Sequence, residues 1–254
     1  MDKKYELVYD DYKMFEGRKL FRIRALKDFQ TVNEFTVKAG DFGGYIQSEE
    51  NLSQDGKSWV AGDAKVFGDA RVYGDAEVLD KAYVGDNAEV SNNACVFDDA
   101  YVYGNAKVYG DAKVYGHAMV FNDACVFGDA CVFGDARVFN DACVFGDACV
   151  FGSAWVYGSA WVYGSAWVCS NAAVSNNADI CNDTDYICIK GLGTFCHTTT
   201  FYKCKDNHIG VTSGSFKGTL DEFASKFEIT HKDNKFGKEY LTAIEMVKIH
   251  FDLV

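Results

Sequence analysis

The 254-residue sequence contains no proline. Its corners must therefore come from residues that visit positive φ, rather than from a ring that locks φ near −65°. No stretch approaches 18 consecutive apolar residues, the length a membrane-spanning helix needs. The leading residues, MDKKYELVYDDYKMF, are charged and lack the apolar core of a signal peptide. Ten cysteines in a chain with no export signal read as reduced thiols, so a cytoplasmic location is expected. Histidine is scarce, with only His117 between residues 59 and 185.

What is present is repetitive. There are 24 glycines, and 15% of residues are aromatic, too many for a disordered chain. The net charge of −12 is unevenly spread. Residues 1–58 carry 10 basic and 11 acidic side chains, and residues 186–254 carry 9 and 8. Residues 59–185 carry 6 against 18, so the whole excess lies in the middle. Such a surface repels nucleic acid and anionic membrane and suits a basic protein or cations.

Valine occupies every sixth position from 60 to 174, with Ile180 continuing the series, and alanine every sixth position from 64 to 178. The unit reads A-x-V-[FY]-[GN]-[DN]. Ala and Val stand two apart and share one face of a strand, while their neighbours share the other. Gly-Asp and Asn-Asp suit a corner. The position after Val changes from Phe97 to Gly85, Ser91 and Cys169. A narrow core cannot make that exchange without a cavity costing roughly 3–5 kcal/mol. Val and Ala are therefore expected inside and the aromatics outside.

The pattern resembles the hexapeptide-repeat family over residues 60–180. That resemblance implies a mainly β protein: a left-handed parallel β-helix with three hexads per coil. The segments VKAGDFGGYI (37–46) and NLSQDG (51–56), followed by Trp59 and Val60, are similar to the leading module of certain bacterial hexapeptide-repeat transferases. Residues 1–58 are read as an N-terminal β cap, 59–185 as the β-helix, and 186–254 as a small C-terminal α+β domain. The glycine cluster at 40–44 reads as a turn in that cap, although a nest of backbone N–H groups could also cradle an anion.

With three hexads per coil, positions 18 apart stack about 4.8 Å apart. One outer column is then Tyr103, Phe121, Phe139 and Tyr157. A second is Tyr109, Phe127, Phe145 and Tyr163, and a third Phe97, Tyr115, Phe133 and Phe151. Each ring offers roughly 150–250 Å², so the twelve together, even half-exposed, exceed the few hundred Å² tolerated on a monomer's surface. The rings either screen one another or serve self-association (a dimer or trimer) or a protein partner. Trp155, Trp161 and Trp167, each before a Val, fall on three faces of one coil. This collar is either an interface anchor or the seat of the C-terminal domain.

The corner residues Asp75, Asn93, Asp111, Asp129 and Asp147 share one edge. Asx-type capping of local N–H groups explains the residue type. An acidic spine of this kind could equally bind Ca²⁺ or imitate a polyanion. Cys125 stacks with Cys143 and Cys131 with Cys149; their separation permits a disulfide, a reducing compartment argues against one, and as small outward residues between aromatics they need no role. His117 reads as a solvated corner residue. In the tail, Cys188, Cys196, His197, Cys204 and His208 match no common zinc spacing, and the three thiols read as buried in a small β unit. No metal or cofactor is expected.

Beyond Tyr186 the period of six ends. Strands are expected at 186–189, 199–203 and 209–211. Thr219 and Glu222 form a capping box opening a helix with Leu220, Phe223 and Phe227 on one face. A second helix follows with Tyr240, Leu241, Ile244, Val247 and Phe251 as its apolar stripe.

The functional expectation is a non-catalytic, homo-oligomeric scaffold that presents acidic and aromatic surface to a protein partner. In a phage this would be an inhibitor sequestering a host factor. The alternatives are a hexapeptide-repeat acyltransferase with an inter-subunit site, where the family uses a histidine as base, or a structural particle component.

Overall fold

The computed structural model describes residues 3–193, 196–230 and 234–254. The side chains of residues 227–230 lie outside that set, and with them the expected contact of Phe227.

Each hexad forms one short strand ending at the repeated Val and one corner. Val66 pairs with Val84 and Val84 with Val102, in parallel and in register, so three hexads make one coil. The three faces are a ten-stranded sheet and two seven-stranded sheets. The first face runs from Lys65–Val66 through Tyr101–Val102 and Arg137–Phe139 to Ala173–Val174. The second runs from Arg71–Val72 through Cys125–Val126 to Asp179–Ile180, and the third from Trp59–Val60 through Cys131–Val132 to Trp167–Val168.

Every repeat Val, and every repeat Ala from 64 to 178, is at most 1% exposed. The alternation forces this result: Val and Ala line the bore, and their neighbours lie outside. The first corner residue takes positive φ throughout, whether it is glycine, as at Gly128 (φ 73°), or asparagine, as at Asn122 (φ 59°). A Cβ on Gly128 would lie 2.9 Å from the Gly146 nitrogen of the next coil. Glycine there permits the close stacking of corners as well as the φ.

The coiling starts earlier than the hexad pattern. Ile46 pairs in parallel with Val66, and Leu52 with Val72, each 20 residues on instead of 18. Two extra residues between Leu52 and Val60 conceal this first coil in the sequence. Asn51 closes its corner: buried, it accepts from the Gln47 and Ser48 N–H groups and donates to the Gly68 and Ala70 carbonyls. At the far end Asp185 repeats the device. One carboxylate oxygen accepts from the Cys181 and Asn182 N–H groups, and Lys203 donates to the other at 2.7 Å.

The first face continues into the N-terminal unit as antiparallel strands Phe42–Ile46, Arg18–Ala25 and Tyr5–Phe15. Trp59, Tyr5, Ile23 and Leu52 plug the open bore beneath them. Beyond the last coil lies an antiparallel sheet of Tyr186–Leu192, His197–Lys203, Ile209–Ser213 and Phe216–Thr219. It carries helices α1 (Leu220–Thr230) and α2 (Lys235–His250). The capping box forms, with Thr219 and Glu222 exchanging bonds of 2.8 and 3.2 Å. Tyr240, Ile244, Val247 and Phe251 pack with Phe201 and Phe223 in a second core, and Leu241 lies at its margin.

Candidate surface site: aromatic columns and an acidic edge

The aromatic columns form as the spacing demands. Tyr109, Phe127 and Phe145 stack with centroids 4.9 Å apart and planes within 1°. The columns through Tyr103, Phe121 and Phe139 and through Tyr115, Phe133 and Phe151 match them. The rings are half-buried rather than fully exposed, because each covers the face of the next. What they offer outward is ring edge, so their accessible area falls short of the expectation from ring size alone.

The more exposed aromatics are the collar. Trp155, Trp161 and Trp167 are 43%, 44% and 55% exposed. Each indole stands edge-on over the ring below it, on Phe139, Phe145 and Phe151 at 6.0–6.2 Å. Both readings of the collar hold in part. Lys205 of the C-terminal sheet lies 3.8 Å from the Trp161 ring and donates to the Ser159 carbonyl. Trp167 is held through its backbone, with its N–H donating to Asp183 at the end of the solenoid and its carbonyl accepting from Tyr186 of the C-terminal unit.

The three faces differ in how open they are. Tyr157, expected as a surface residue, is only 8% exposed, because the C-terminal sheet closes over the first face. Lys217 sits 4.4 Å from its ring centroid. Behind that contact, Ser175, Tyr202 and Thr212 form a buried hydroxyl network at 2.9–3.4 Å. Between sheet and solenoid remains a groove of about 650 Å³, lined by Phe139, Trp155, Tyr157, Thr198, Thr212 and Lys217.

The second and third faces present one composition twice. The column before Val reads Lys107, Cys125, Cys143, Trp161 on the second face and Lys113, Cys131, Cys149, Trp167 on the third. The corner between them carries Asp111, Asp129 and Asp147, all exposed.

The corner hydrogen bonds differ from local capping. They run along the axis, from one coil to the next. Asp86 accepts from the Gly104 N–H and Asp98 from the Gly116 N–H, each 18 residues on. Asn93 donates to Asp111 at 2.9 Å, and Asp75 accepts from the Lys57 N–H. Each of these bonds links residues 18 apart on stacked corners. Among the described residues, the Asp129 and Asp147 carboxylates make no hydrogen bond or ion pair, and only their backbone groups are paired. This edge therefore carries unneutralised charge.

Other candidates separate. His117 is exposed at a corner between the third and first faces, and among the described residues its ring meets no hydrogen-bonding partner. In the tail only Cys204 is buried; Cys188 is half-buried on the strand Tyr186–Leu192, and Cys196 is exposed in the turn before His197–Lys203. Cys204 and His208 come together with Asp206, which is not among the expected tail residues, and the three donor atoms lie within 4.8 Å of one another. The signal was there in the alternation of Cys204, Asp206 and His208 around a hairpin. His208 Nδ1 is 2.7 Å from the Asp206 carboxylate, so the cluster closes on itself as a pair. Near the N-terminus, Asn33 donates twice to Glu77, which is buried beside Cys95. Burial, with the Glu77 charge added, pushes the Cys95 thiol up to about 12. No helix among the described residues is long and apolar enough to cross a membrane. No protein-family model and no curated protein matches this chain.

Proposed function

We propose that the protein is a non-catalytic binding scaffold of hexapeptide-repeat type, whose acidic edge and two flanking aromatic faces dock a basic protein partner. One observation carries this reading: the second and third faces repeat the same Lys-Cys-Cys-Trp and Tyr-Phe-Phe columns on either side of Asp111, Asp129 and Asp147. The edge of a triangular prism is a wedge. A partner with a basic-floored cleft would meet carboxylates spaced by one coil at its floor and ring edges and indoles on its walls. Arg side chains suit both, pairing with carboxylates and stacking on aromatics. Occupying a partner's basic site in this way would occlude it, which is how an inhibitor or sequestering protein acts.

The test compares three immobilised proteins against one cell lysate: the parent, D111N/D129N/D147N, and F121S on the first face. A protein held by the parent and by F121S, but released from the triple variant, supports the wedge. A protein held equally by all three refutes it.

A further inference from the structure

We propose that the pairs Cys125/Cys143 and Cys131/Cys149 are two Cu(I) sites, each binding one ion between two thiolates in linear coordination. The sites stand independently of any protein partner.

The geometry begins with the parallel register. Cys125 pairs with Cys143 and Cys131 with Cys149 on adjacent rungs. All four thiols point the same way, each 3.8–4.0 Å from the carbonyl two residues back, at Asp123, Asp129, Asp141 and Asp147. Side chains in one rotamer on successive coils are displaced by one rung, and the adjacent ring column repeats at 4.9 Å.

That spacing discriminates between two fates of a dithiol. A disulfide needs sulfurs at about 2.05 Å and Cβ atoms about 3.5–4.5 Å apart, so two hydrogen-bonded coils would have to pinch together. A zinc–thiolate bond in a four-coordinate site is about 2.3 Å, and bonds to a two-coordinate ion are no longer, so a linear sulfur–metal–sulfur unit spans up to about 4.6 Å. The 4.9 Å rung spacing lies far nearer that span than the disulfide's. Two soft thiolates with no further ligand select a d¹⁰ monovalent ion such as Cu(I) over Zn²⁺, which takes four.

The neighbours suit the product. Binding releases two protons to solvent, changes no oxidation state and leaves one negative charge on the copper dithiolate. Lys107 lies one rung below the first pair and Lys113 one rung below the second. Trp161 and Trp167 stand one rung above, presenting an indole beside each site. Both pairs are half-buried, open enough for the ion to enter.

The full chain, reduced and anaerobic, is titrated with Cu(I) in competition with a chromophoric Cu(I) chelator, while tryptophan emission is followed. Two equivalents should bind per chain. C143S and C149S should each lose one and the double variant both, whereas C95S and C204S should lose none. Serine is close in size and the sites are at the surface, so circular dichroism should report an unchanged fold. Uptake unaffected in the double variant, or complete retention of copper by the chelator, overturns the proposal. Closure of either pair to a disulfide by oxidised glutathione would overturn the spacing argument.

Discussion

Replacing Phe127 by alanine tests whether the aromatic columns hold the solenoid together. Phe127 stacks on both Tyr109 and Phe145 at 4.9 Å. Each stack contributes about 0.5–1.5 kcal/mol beyond area burial, so two contribute about 1–3 kcal/mol. Burying roughly half the ring adds about 1 kcal/mol, giving a loss of about 2–4 kcal/mol. Tyr109 ends the column, because Ser91 lies below it, and it makes one stack. Tyr109→Ala should therefore cost about half as much. The assay is urea unfolding followed by far-ultraviolet circular dichroism, with a double-mutant cycle between Phe127 and Phe145. That cycle should return a coupling of about 0.5–1.5 kcal/mol. Equal losses at Phe127 and Tyr109, with no coupling in the cycle, would refute cooperative stacking and leave the rings as partner-facing surface alone.

Other perturbations test the caps. Lys4 is buried among the Asp55, Gly56 and Ser58 carbonyls, and burial, followed by the nearby Lys27, lowers its ammonium from 10.5 to about 8. The folded state thus disfavours the charged form. The penalty is fully present below pH 8 and is relieved as pH rises from 8 to 10.5. Relative to Lys4→Met, the parent should gain up to about 3 kcal/mol across that window in pH-dependent unfolding. Asn51→Ala removes four hydrogen bonds and strands buried backbone groups, so it should cost about 2–4 kcal/mol in the same assay. Tyr202→Phe leaves Ser175 and Thr212 short of a partner and should cost about 1–3 kcal/mol. Hydrogen exchange should quicken in the strand Ile209–Ser213 while the middle coils stay protected.

Much of this architecture is legible in the sequence because a β-helix is nearly one-dimensional. A period of six with constant Ala and Val fixes face, register and stacking together, so the pairing of Cys125 with Cys143 follows from counting. What a period cannot carry is anything that breaks it. Ile46 and Leu52 belong to the first coil, but two inserted residues shift their phase. The burial of Tyr157 depends on how a separate sheet folds back over it, and no spacing within the repeat encodes that. The strand Phe216–Thr219 lacks alternation and is set by pairing with Ile209–Ser213. The corner bonds run between coils, joining residues 18 apart that no local turn motif links.

The protein carries its own reporters for the docking wedge. Cys125 and Cys143 lie on one flank of the acidic edge, Cys131 and Cys149 on the other, and Cys196 is exposed in the C-terminal unit. The decisive measurement is the alkylation rate of each cysteine, read by peptide mass spectrometry, with and without the protein captured by the parent. Docking over the edge should slow all four flank cysteines at least tenfold and leave Cys196 unchanged. Unaltered rates at the four, with capture intact, would contradict the wedge.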